Sequence, residues 1–195
     1  MGFLIILEGY LKKKIYIPEH QLYSKVRPYS EKYRKRIFSA LDEQIANSIV
    51  LDLFAGSGIC SFESISRGAK SAQLVDSNKQ AVLNLHNNKY KLKLENKIFI
   101  SCKNIEVFIL DAYYSNSKYD IVFLDPPYNL ILTNFFWSLL LNITNDVFII
   151  VYRSNVKFKL RFTEQELSVQ SIANVYILSF NKFNFSEKWD LNPRL

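Results

Sequence analysis

The sequence predicts an α/β fold in which a mostly parallel sheet is covered by helices on both faces. From residue 49 to residue 152, short apolar segments of strand length alternate with longer segments of helical length. The strand segments are almost wholly apolar, which is typical of parallel strands buried on both faces. Two strand-like segments, 167–171 and 174–183, lie close together near the end of the chain. Their short connection predicts an antiparallel hairpin at one edge of the sheet.

The first elements are short strands and one helix. Residues 4–17 contain two strand-like segments around a basic turn, Lys12-Lys13-Lys14. Ser30 is expected to begin a helix, because a serine oxygen can accept hydrogen bonds from the backbone N–H groups of the first turn. Apolar residues then recur at helical spacing, at Tyr33, Ile37, Ala40, Leu41 and Ile45.

The alternating region supplies the remaining strands and helices. The predicted strands are 49–54, 71–76, 97–101, 119–125 and 146–152. The predicted helices run to about Arg67, from 78 to 93, from Asn104 onwards and from 132 to 142. Because the strands are parallel, their carboxyl ends meet at one edge, where open α/β sheets bind their ligands. Three groups of polar residues fall there and are expected to share one cleft: 52–58, Asp76 and 125–128.

Length, charge and cysteine content limit the classes of protein to which the chain can belong. The chain has 195 residues, a formal net charge of +7 and 49% hydrophobic residues, which fits one globular domain with a full core. The positive charge favours a polyanionic partner, although a solvated basic surface would look the same. Two cysteines without CxxC spacing, and only two histidines, favour neither a metal site nor a disulfide. This cysteine usage fits a reducing cytosol, and the longer apolar stretches are broken by Asn or charges. We therefore expect a cytoplasmic protein with no membrane span, and we also expect a monomer.

A glycine-containing turn follows the strand 49–54. Gly56 and Gly58 allow a tight turn and a close approach of the backbone to a ligand. A dinucleotide fingerprint would have a third glycine where this chain has Ser61. The spacing suits instead a ligand with an amino-acid tail, whose ammonium group Asp52 can meet. An ordinary strand–helix turn would have the same residues.

Two further polar residues follow the next two strands. Asp76 could accept hydrogen bonds from both hydroxyl groups of a ribose, or it could cap the helix that starts near Asn78. Asn104 could contact the edge of an adenine, or it could be a helix N-cap. The sequence leaves both pairs of alternatives open.

The tetrad Asp125-Pro126-Pro127-Tyr128 ends the strand 119–125. The lone pair of an exocyclic amino nitrogen on a purine is delocalised into the ring, so that nitrogen is a poor nucleophile. Two acceptors at its hydrogens, the Asp125 carboxylate and the Pro126 carbonyl, would localise the lone pair. The prolines fix the backbone so that this carbonyl points outward, and Tyr128 can stack on the base. The alternative is a strand terminator followed by an unremarkable turn.

Together these residues resemble the class I S-adenosylmethionine-dependent methyltransferases that act on amino groups. Two stretches narrow the resemblance to the RsmD-like family of 16S rRNA guanine-N2 methyltransferases: VLDLFAGSGICSFESISRGAKSAQLVD and RPYSEKYRKRIFSAL. The start, ILEGYLKKKIYIP, is similar to that family's N-terminal hairpin. The resemblance covers about residues 4–183.

The resemblance implies a Rossmann-like, seven-stranded methyltransferase domain at residues 30–195, preceded by a hairpin and a basic RNA-facing extension at residues 1–29. The implied cofactor is S-adenosylmethionine, and the implied substrate is a guanine N2 in 16S rRNA, free or in the assembling small subunit. The implied catalytic residues are Asp125, Pro126, Pro127 and Tyr128. The implied cofactor-binding residues are Asp52, Phe54, Ala55, Gly56, Ser57, Gly58, Asp76 and Asn104. The resemblance implies that Arg27, Pro28 and Arg34 form a wall facing RNA and cofactor. The concentration of positive charge before the catalytic core adds Lys12, Lys13 and Lys14 as expected RNA contacts.

The chain departs from the family pattern at Tyr29, Lys35 and Tyr152/Arg153. These departures lie outside the glycine loop and the tetrad, so they bear on which base is the target and not on the chemistry. One alternative is an adenine-N6 methyltransferase of DNA or RNA; the DNA enzymes generally need a separate recognition region for base flipping, and the chain has no insertion that could house one. A protein-glutamine methyltransferase would favour Asn in place of Asp125. A catalytically inactive RNA-binding assembly factor would not need both the glycine loop and the acceptor pair.

Overall fold

The computed structural model describes residues 2–12, 14–17, 30–127, 130, 132–153, 167–172 and 175–181. A seven-stranded sheet forms its centre, with the strand order β5-β4-β3-β6-β7-β9-β8. Its strands are β3 Ile49–Leu53, β4 Ser71–Asp76, β5 Ile98–Cys102, β6 Tyr119–Leu124, β7 Thr144–Arg153, β8 Leu167–Ile172 and β9 Val175–Asn181. The strands from β5 to β7 pair in parallel, whereas β9 pairs antiparallel with both β7 and β8. The mostly parallel sheet with an antiparallel edge hairpin is confirmed.

The connection order creates a switch point at the centre of the sheet. The chain runs outward from β3 through β4 to β5 and then returns to place β6 on the other side of β3. At such a switch point the connections leave in opposite directions, and a crevice opens beyond the carboxyl ends of the two central strands. Asp52 lies in β3, and Asp125 directly follows β6.

In the described part of the chain, five α-helices cover the two faces of the sheet: α1 Glu31–Leu41, α2 Ile59–Ser66, α3 Lys79–Lys91, α4 Ile105–Tyr114 and α5 Asn134–Asn142. A 3₁₀ turn, Asp42–Ile45, extends α1. Buried residues of α1, α2 and α3 share one apolar cluster, and those of α4 and α5 share another. Ser30 caps α1 as predicted, since its Oγ accepts a hydrogen bond from the Tyr33 N–H at 3.4 Å.

The amino-terminal residues form a separate two-stranded antiparallel sheet, β1 Gly2–Ile5 and β2 Lys14–Ile17. The segment between the strands lies against α2. There Gly9 has a φ of 83°, and a Cβ atom at Gly9 would lie 1.9 Å from the backbone oxygen of Ser66. Only glycine fits at this contact, so the close approach fixes where the segment crosses the helix. Within the described residues, no helix has the length and apolar character needed to cross a membrane.

Candidate active site

Three carboxylates lie at the carboxyl ends of three neighbouring strands. Asp52 belongs to β3, Asp76 ends β4, and Asp125 follows β6, and these strands are adjacent in the order β4-β3-β6. Asp125 and Asp76 are both close enough to affect the ionisation of Asp52. The structure therefore brings together the three acids that the sequence placed in one cleft.

The loop from β3 to α2 turns through three left-handed residues. Phe54, Gly56 and Gly58 have φ angles of 63°, 53° and 72°. Such an angle is uncommon for a residue with a bulky side chain, so the surrounding contacts hold Phe54 in a strained conformation. The Ala55 N–H donates to the Val75 oxygen at 3.0 Å, and the Gly58 N–H donates to the Ala55 oxygen at 2.7 Å. The loop is therefore tied to β4 and to itself.

The two glycines of this loop have different surroundings. A Cβ atom at Gly58 would lie 2.5 Å from Leu85 Cδ2, and 2.9 Å from both Leu74 Cδ2 and Phe62 Cε2. A Cβ atom at Gly56 would find nothing nearer than a backbone oxygen at 3.9 Å. Gly58 is thus required by core packing, whereas Gly56 leaves open space in which a ligand could approach the backbone.

We expect Gly58→Ala to destabilise the protein more than Gly56→Ala. Both substitutions strain a left-handed residue by about 1–2 kcal/mol, but only the methyl group at position 58 enters the core, where overpacking costs a further 1–3 kcal/mol or so. Urea denaturation of the two variants measures the difference. Equal losses of stability would show that the space around Gly58 can relax.

Asp52 is an almost fully buried acid, with 5% of its surface exposed. The pKa of Asp52 is raised to about 7, mainly by burial and also by the charges of Asp125 and Asp76. Hydrogen bonds from Ser61 act in the opposite direction. The Ser61 hydroxyl donates to Asp52 Oδ2 at 2.7 Å. Asp52 is therefore an acid poised to lose its proton when a cation binds beside it.

Asp76 holds the glycine loop and the following turn together. Its Oδ2 accepts a hydrogen bond from the Gly56 N–H at 2.8 Å, and its Oδ1 accepts one from the Asn78 N–H at 2.8 Å. The alternative that Asp76 caps α3 is wrong, because Asn78 is the cap residue and accepts from the N–H groups of Gln80 and Ala81. A carboxylate has about four acceptor positions, so Asp76 keeps capacity for hydroxyl groups of a ligand.

A cleft of about 190 Å³ is lined in part by Phe54, Ser77 and Pro127, which lie one or two residues after Asp52, Asp76 and Asp125 in the chain. It is lined by Phe54, Ser77, Asn104, Ile105, Glu106, Pro127, Leu130, Leu132, Thr133 and Phe136. Asn104 caps α4, since its Oδ1 accepts from the Glu106 N–H at 2.8 Å. Asn104 is therefore the helix N-cap that the sequence allowed. Because Asn104 also lines the cleft, the other alternative, a contact with the edge of an adenine, is compatible with its position.

The structure describes three residues of the tetrad predicted to be catalytic, and one of these, Pro127, lines the cleft. Asp125 and Pro126 are half-buried after β6, and Pro127 is exposed and lines the cleft. The Pro127 oxygen accepts a hydrogen bond from the Leu130 N–H at 2.9 Å, which turns the chain back towards the cleft wall. Tyr128 lies outside the described residues.

The structure corrects one of the predicted RNA contacts. Arg34 has 0% of its surface exposed, and its Nη1 lies 3.4 Å from Glu63 Oε2, which is equally buried. It also donates to the Ile5 oxygen at 2.8 Å. Arg34 is therefore part of the interior and cannot face RNA. Lys12 is exposed, whereas Lys13, Arg27, Pro28 and Tyr29, and the side chains of Lys14 and Arg153, lie outside the described part.

Sequence reasoning missed several residues of the site. Ser61 was noted only as a missing glycine, although a polar side chain on the inner face of α2 could have indicated a partner. The cleft walls at Leu130, Leu132, Thr133 and Phe136 were also missed. No sequence signal could have found them, because their position depends on the turn after Pro127. Tyr152, one of the departures from the family pattern, is buried and packs edge-on against Trp137 at a ring distance of 5.7 Å.

Comparison with known proteins places this geometry in a family. The family described as conserved hypothetical protein 95 matches residues 5–172. Ribosomal RNA small subunit methyltransferase D of Buchnera aphidicola (Acyrthosiphon pisum) is 36% identical over 104 residues, which are 53% of each chain. The protein of the same name from Buchnera aphidicola (Baizongia pistaciae) is 31% identical over 139 residues, 69% of each chain. The first of these matches thus spans only about half the length of the curated relative.

Solved structures agree with these matches. The yhhF protein of Escherichia coli, described as a candidate methyltransferase, superposes with a TM-score of 0.76 and 26% identity, covering 93% of this chain and 99% of its own. The fold is therefore the Rossmann-like fold of class I methyltransferases, as the alternation of strands and helices and the antiparallel edge hairpin predicted. The family match covers most of the chain, so the protein belongs to the RsmD-like family, described as conserved hypothetical protein 95.

Proposed function

We propose that the protein is an S-adenosylmethionine-dependent methyltransferase that modifies the exocyclic N2 amino group of a guanine in 16S rRNA. The observation that carries the proposal is the position of Asp125 and Pro126 at the switch point, beside Asp52 and Asp76. The curated relatives named above are small-subunit rRNA methyltransferases, which supports ribosomal RNA as the substrate.

The residues of the candidate site, in the cleft and next to it, fit S-adenosylmethionine. A buried acid, Asp52, suits the ammonium group of an amino-acid tail, and the open space at Gly56 admits a ligand against the backbone. Asp76 has acceptor positions for ribose hydroxyl groups. The cleft lined by Phe54 and Ile105, with Asn104 at its wall, suits an aromatic base. The cofactor would supply an electrophilic methyl group.

The role proposed for Asp125 is to position the target nitrogen. The Asp125 carboxylate and the Pro126 carbonyl would accept the two hydrogens of the amino group and aim its lone pair at the methyl carbon. The nitrogen forms its bond to carbon as the sulfur–carbon bond breaks, and it loses a proton only afterwards, when it carries positive charge. Tyr128 would stack on the base.

The function is tested in two steps. Isothermal titration calorimetry of the purified protein should show binding of S-adenosylmethionine or its demethylated product; absence of binding by both would overturn the proposal. Nucleoside mass spectrometry of ribosomal RNA from a strain without this gene should then show the loss of one N2-methylguanosine. Loss of N6-methyladenosine instead would favour the adenine alternative, and an unchanged RNA would favour an inactive assembly factor.

We further propose that residues 1–29 and the outer face of α1 contact the RNA backbone, in a cytoplasmic, monomeric enzyme. Lys32, Lys35 and Arg36 are exposed on α1, in contrast to Arg34. The RNA would be free 16S rRNA or that of an assembling small subunit. In the sequence, α1 follows directly after the extension of residues 1–29, which contains Lys12, Lys13, Lys14 and Arg27.

Binding of RNA should weaken linearly on a plot of log affinity against log salt, because phosphate contacts release counterions. Replacing Lys32, Lys35 and Arg36 together by alanine should make this negative slope shallower by up to about 2–3 units. It should also weaken the binding of all RNAs by a similar factor. Fluorescence anisotropy over a salt series measures this. Lys103→Ala is the control, since Lys103 already pairs with Asp111 at 2.7 Å. An unchanged slope in the triple variant would make these cations a solvated face.

A further inference from the structure

A serine from α2 reaches the buried acid of the site. Ser61 is fully buried, and its hydroxyl donates to Asp52 Oδ2 at 2.7 Å. Asp52 itself has 5% of its surface exposed. Two buried polar groups at this distance fix each other's orientation, because neither could find another partner without rotating away. The carboxylate of Asp52 is therefore held in one position by a residue outside the glycine loop.

The hydrogen bond from Ser61 to Asp52 also affects the ionisation of Asp52, because two other acids are nearby. Asp76 at the end of β4 and Asp125 after β6 are close enough for their charges to act on Asp52, and together with burial they raise the pKa of Asp52 to about 7. Hydrogen bonds from the Ser61 hydroxyl and the Ser61 backbone are the groups that oppose this rise. Without the hydroxyl, the balance would shift further towards the neutral acid.

We infer that Ser61 is a positioning residue that orients the Asp52 carboxylate and favours its ionised form for the ammonium group of the cofactor. The Asp52 side chains that are neutral before binding then release their proton when the cofactor binds. The inference rests on the proposed function. From the glycine-loop pattern alone, Ser61 would be only a residue in place of a glycine. With the role inferred here, the affinity of the protein for the cofactor depends on pH through Asp52.

The sign of the linkage follows from the ionised form being the one that binds. As pH falls below about 7, Asp52 becomes neutral and affinity should fall, by up to about tenfold per pH unit. If Ser61→Ala raises the pKa of Asp52 by about one unit, the ionised fraction at pH 7 falls about fivefold. At about pH 9 the variant and the wild type should bind almost equally well, because Asp52 is ionised in both.

The experiment is calorimetric titration of the full chain with S-adenosylhomocysteine at several pH values between about 5.5 and 9, in two buffers of different ionisation enthalpy. The difference between buffers counts the protons released. Ser64→Ala is the matched control: Ser64 is buried in the same helix, and its hydroxyl donates to the Cys60 oxygen at 2.8 Å, away from Asp52. The wild type and all variants are titrated with the same ligand. Protons taken up or released by the ligand's own groups therefore cancel when the variants are compared with the wild type.

Ser61→Ala should shift the affinity profile to higher pH and release more protons than the wild type at pH 7, whereas Ser64→Ala should match the wild type. Asp52→Asn should bind weakly and release no proton from this site, and it tests the inference even if Ser61→Ala folds poorly. Identical profiles for Ser61→Ala and Ser64→Ala, or unchanged proton release in Asp52→Asn, would overturn the inference while leaving the proposed function intact. Failure of the wild type to bind at any pH would overturn the proposed function itself.

Discussion

Asp125→Ala should lower the rate of methyl transfer by about 10²–10³-fold, the scale for removing one oriented group that stabilises a transition state. At about pH 9 Asp52 is ionised with or without the charge of Asp125. Cofactor affinity should change little at that pH, because Asp125 follows β6 and is proposed to face the target base. Single-turnover transfer to small ribosomal subunits from a strain without the gene measures the rate, and calorimetry with S-adenosylhomocysteine measures the affinity. The expected signature is a loss in rate without a loss in binding.

Asp125→Asn is the informative companion variant. Asparagine keeps one acceptor oxygen at the same position, so it should retain more activity than alanine if the role of Asp125 is to orient a hydrogen. If a full negative charge were needed to remove a proton, Asn and Ala would be equally inactive. Transfer by Asp125→Ala at the wild-type rate, or methylation of any atom other than a guanine N2, would contradict the assignment.

The sheet could be predicted because local signals agreed with the global fold. Apolar segments of strand length alternated with helical segments, and Ser30, Asn78 and Asn104 marked helix starts that the structure shows. The positions of Asp52, Asp76 and Asp125 then followed from topology alone, since parallel strands end at one edge. Boundaries differed by only one or two residues for most elements, as fraying at helix and strand ends makes usual.

Arg34 shows where this reasoning failed. A basic residue in a basic stretch was assigned to RNA, yet Arg34, Ile37, Phe38 and Leu41 are all buried, and they recur at i, i+3, i+4 and i+7, the spacing of one helix face. The signal was therefore present in the sequence. Its partner could not be found in the same way, because Glu63 lies 29 residues further along the chain, in a helix that is buried on every side.

The chemistry of the cleft was less accessible to sequence reasoning than its location. Phe54 lies in the cleft wall with a φ of 63°, a conformation that no pattern predicts for phenylalanine. The raised pKa of Asp52 depends on burial and on two acids brought together by the sheet. Such electrostatic effects depend on tertiary contacts, so the sequence could name the acids but not their ionisation.

Glu63 is a buried residue whose removal should cost much stability. Its two carboxylate oxygens accept hydrogen bonds from the Leu7 N–H at 2.7 Å and the Glu8 N–H at 3.1 Å, which fasten the amino-terminal segment to α2. They also face Arg34 at 3.4 Å and Arg67 at 3.0 Å. Glu63 thus connects α1, α2 and the segment that follows β1 through one buried carboxylate.

We expect Glu63→Ala to destabilise the protein by about 3–5 kcal/mol, because the Arg34 guanidinium would remain buried without its countercharge. Glu8→Ala is the matched control. Glu8 also pairs with Arg67, at 2.9 Å, but its side chain is 57% exposed, so its loss should cost no more than about 1 kcal/mol. Urea denaturation of both variants measures the free energies of unfolding.

Amide hydrogen exchange locates the effect. In Glu63→Ala the N–H groups of Leu7 and Glu8 lose their acceptor and should exchange much faster, whereas the N–H of Tyr10 still has the Ser66 oxygen at 3.0 Å. In Glu8→Ala all three should remain protected. If Glu63→Ala proved no less stable than Glu8→Ala, the buried carboxylate would not be what holds the amino-terminal segment on the methyltransferase fold, and other contacts, such as those of Gly9 and Ser66, would hold it.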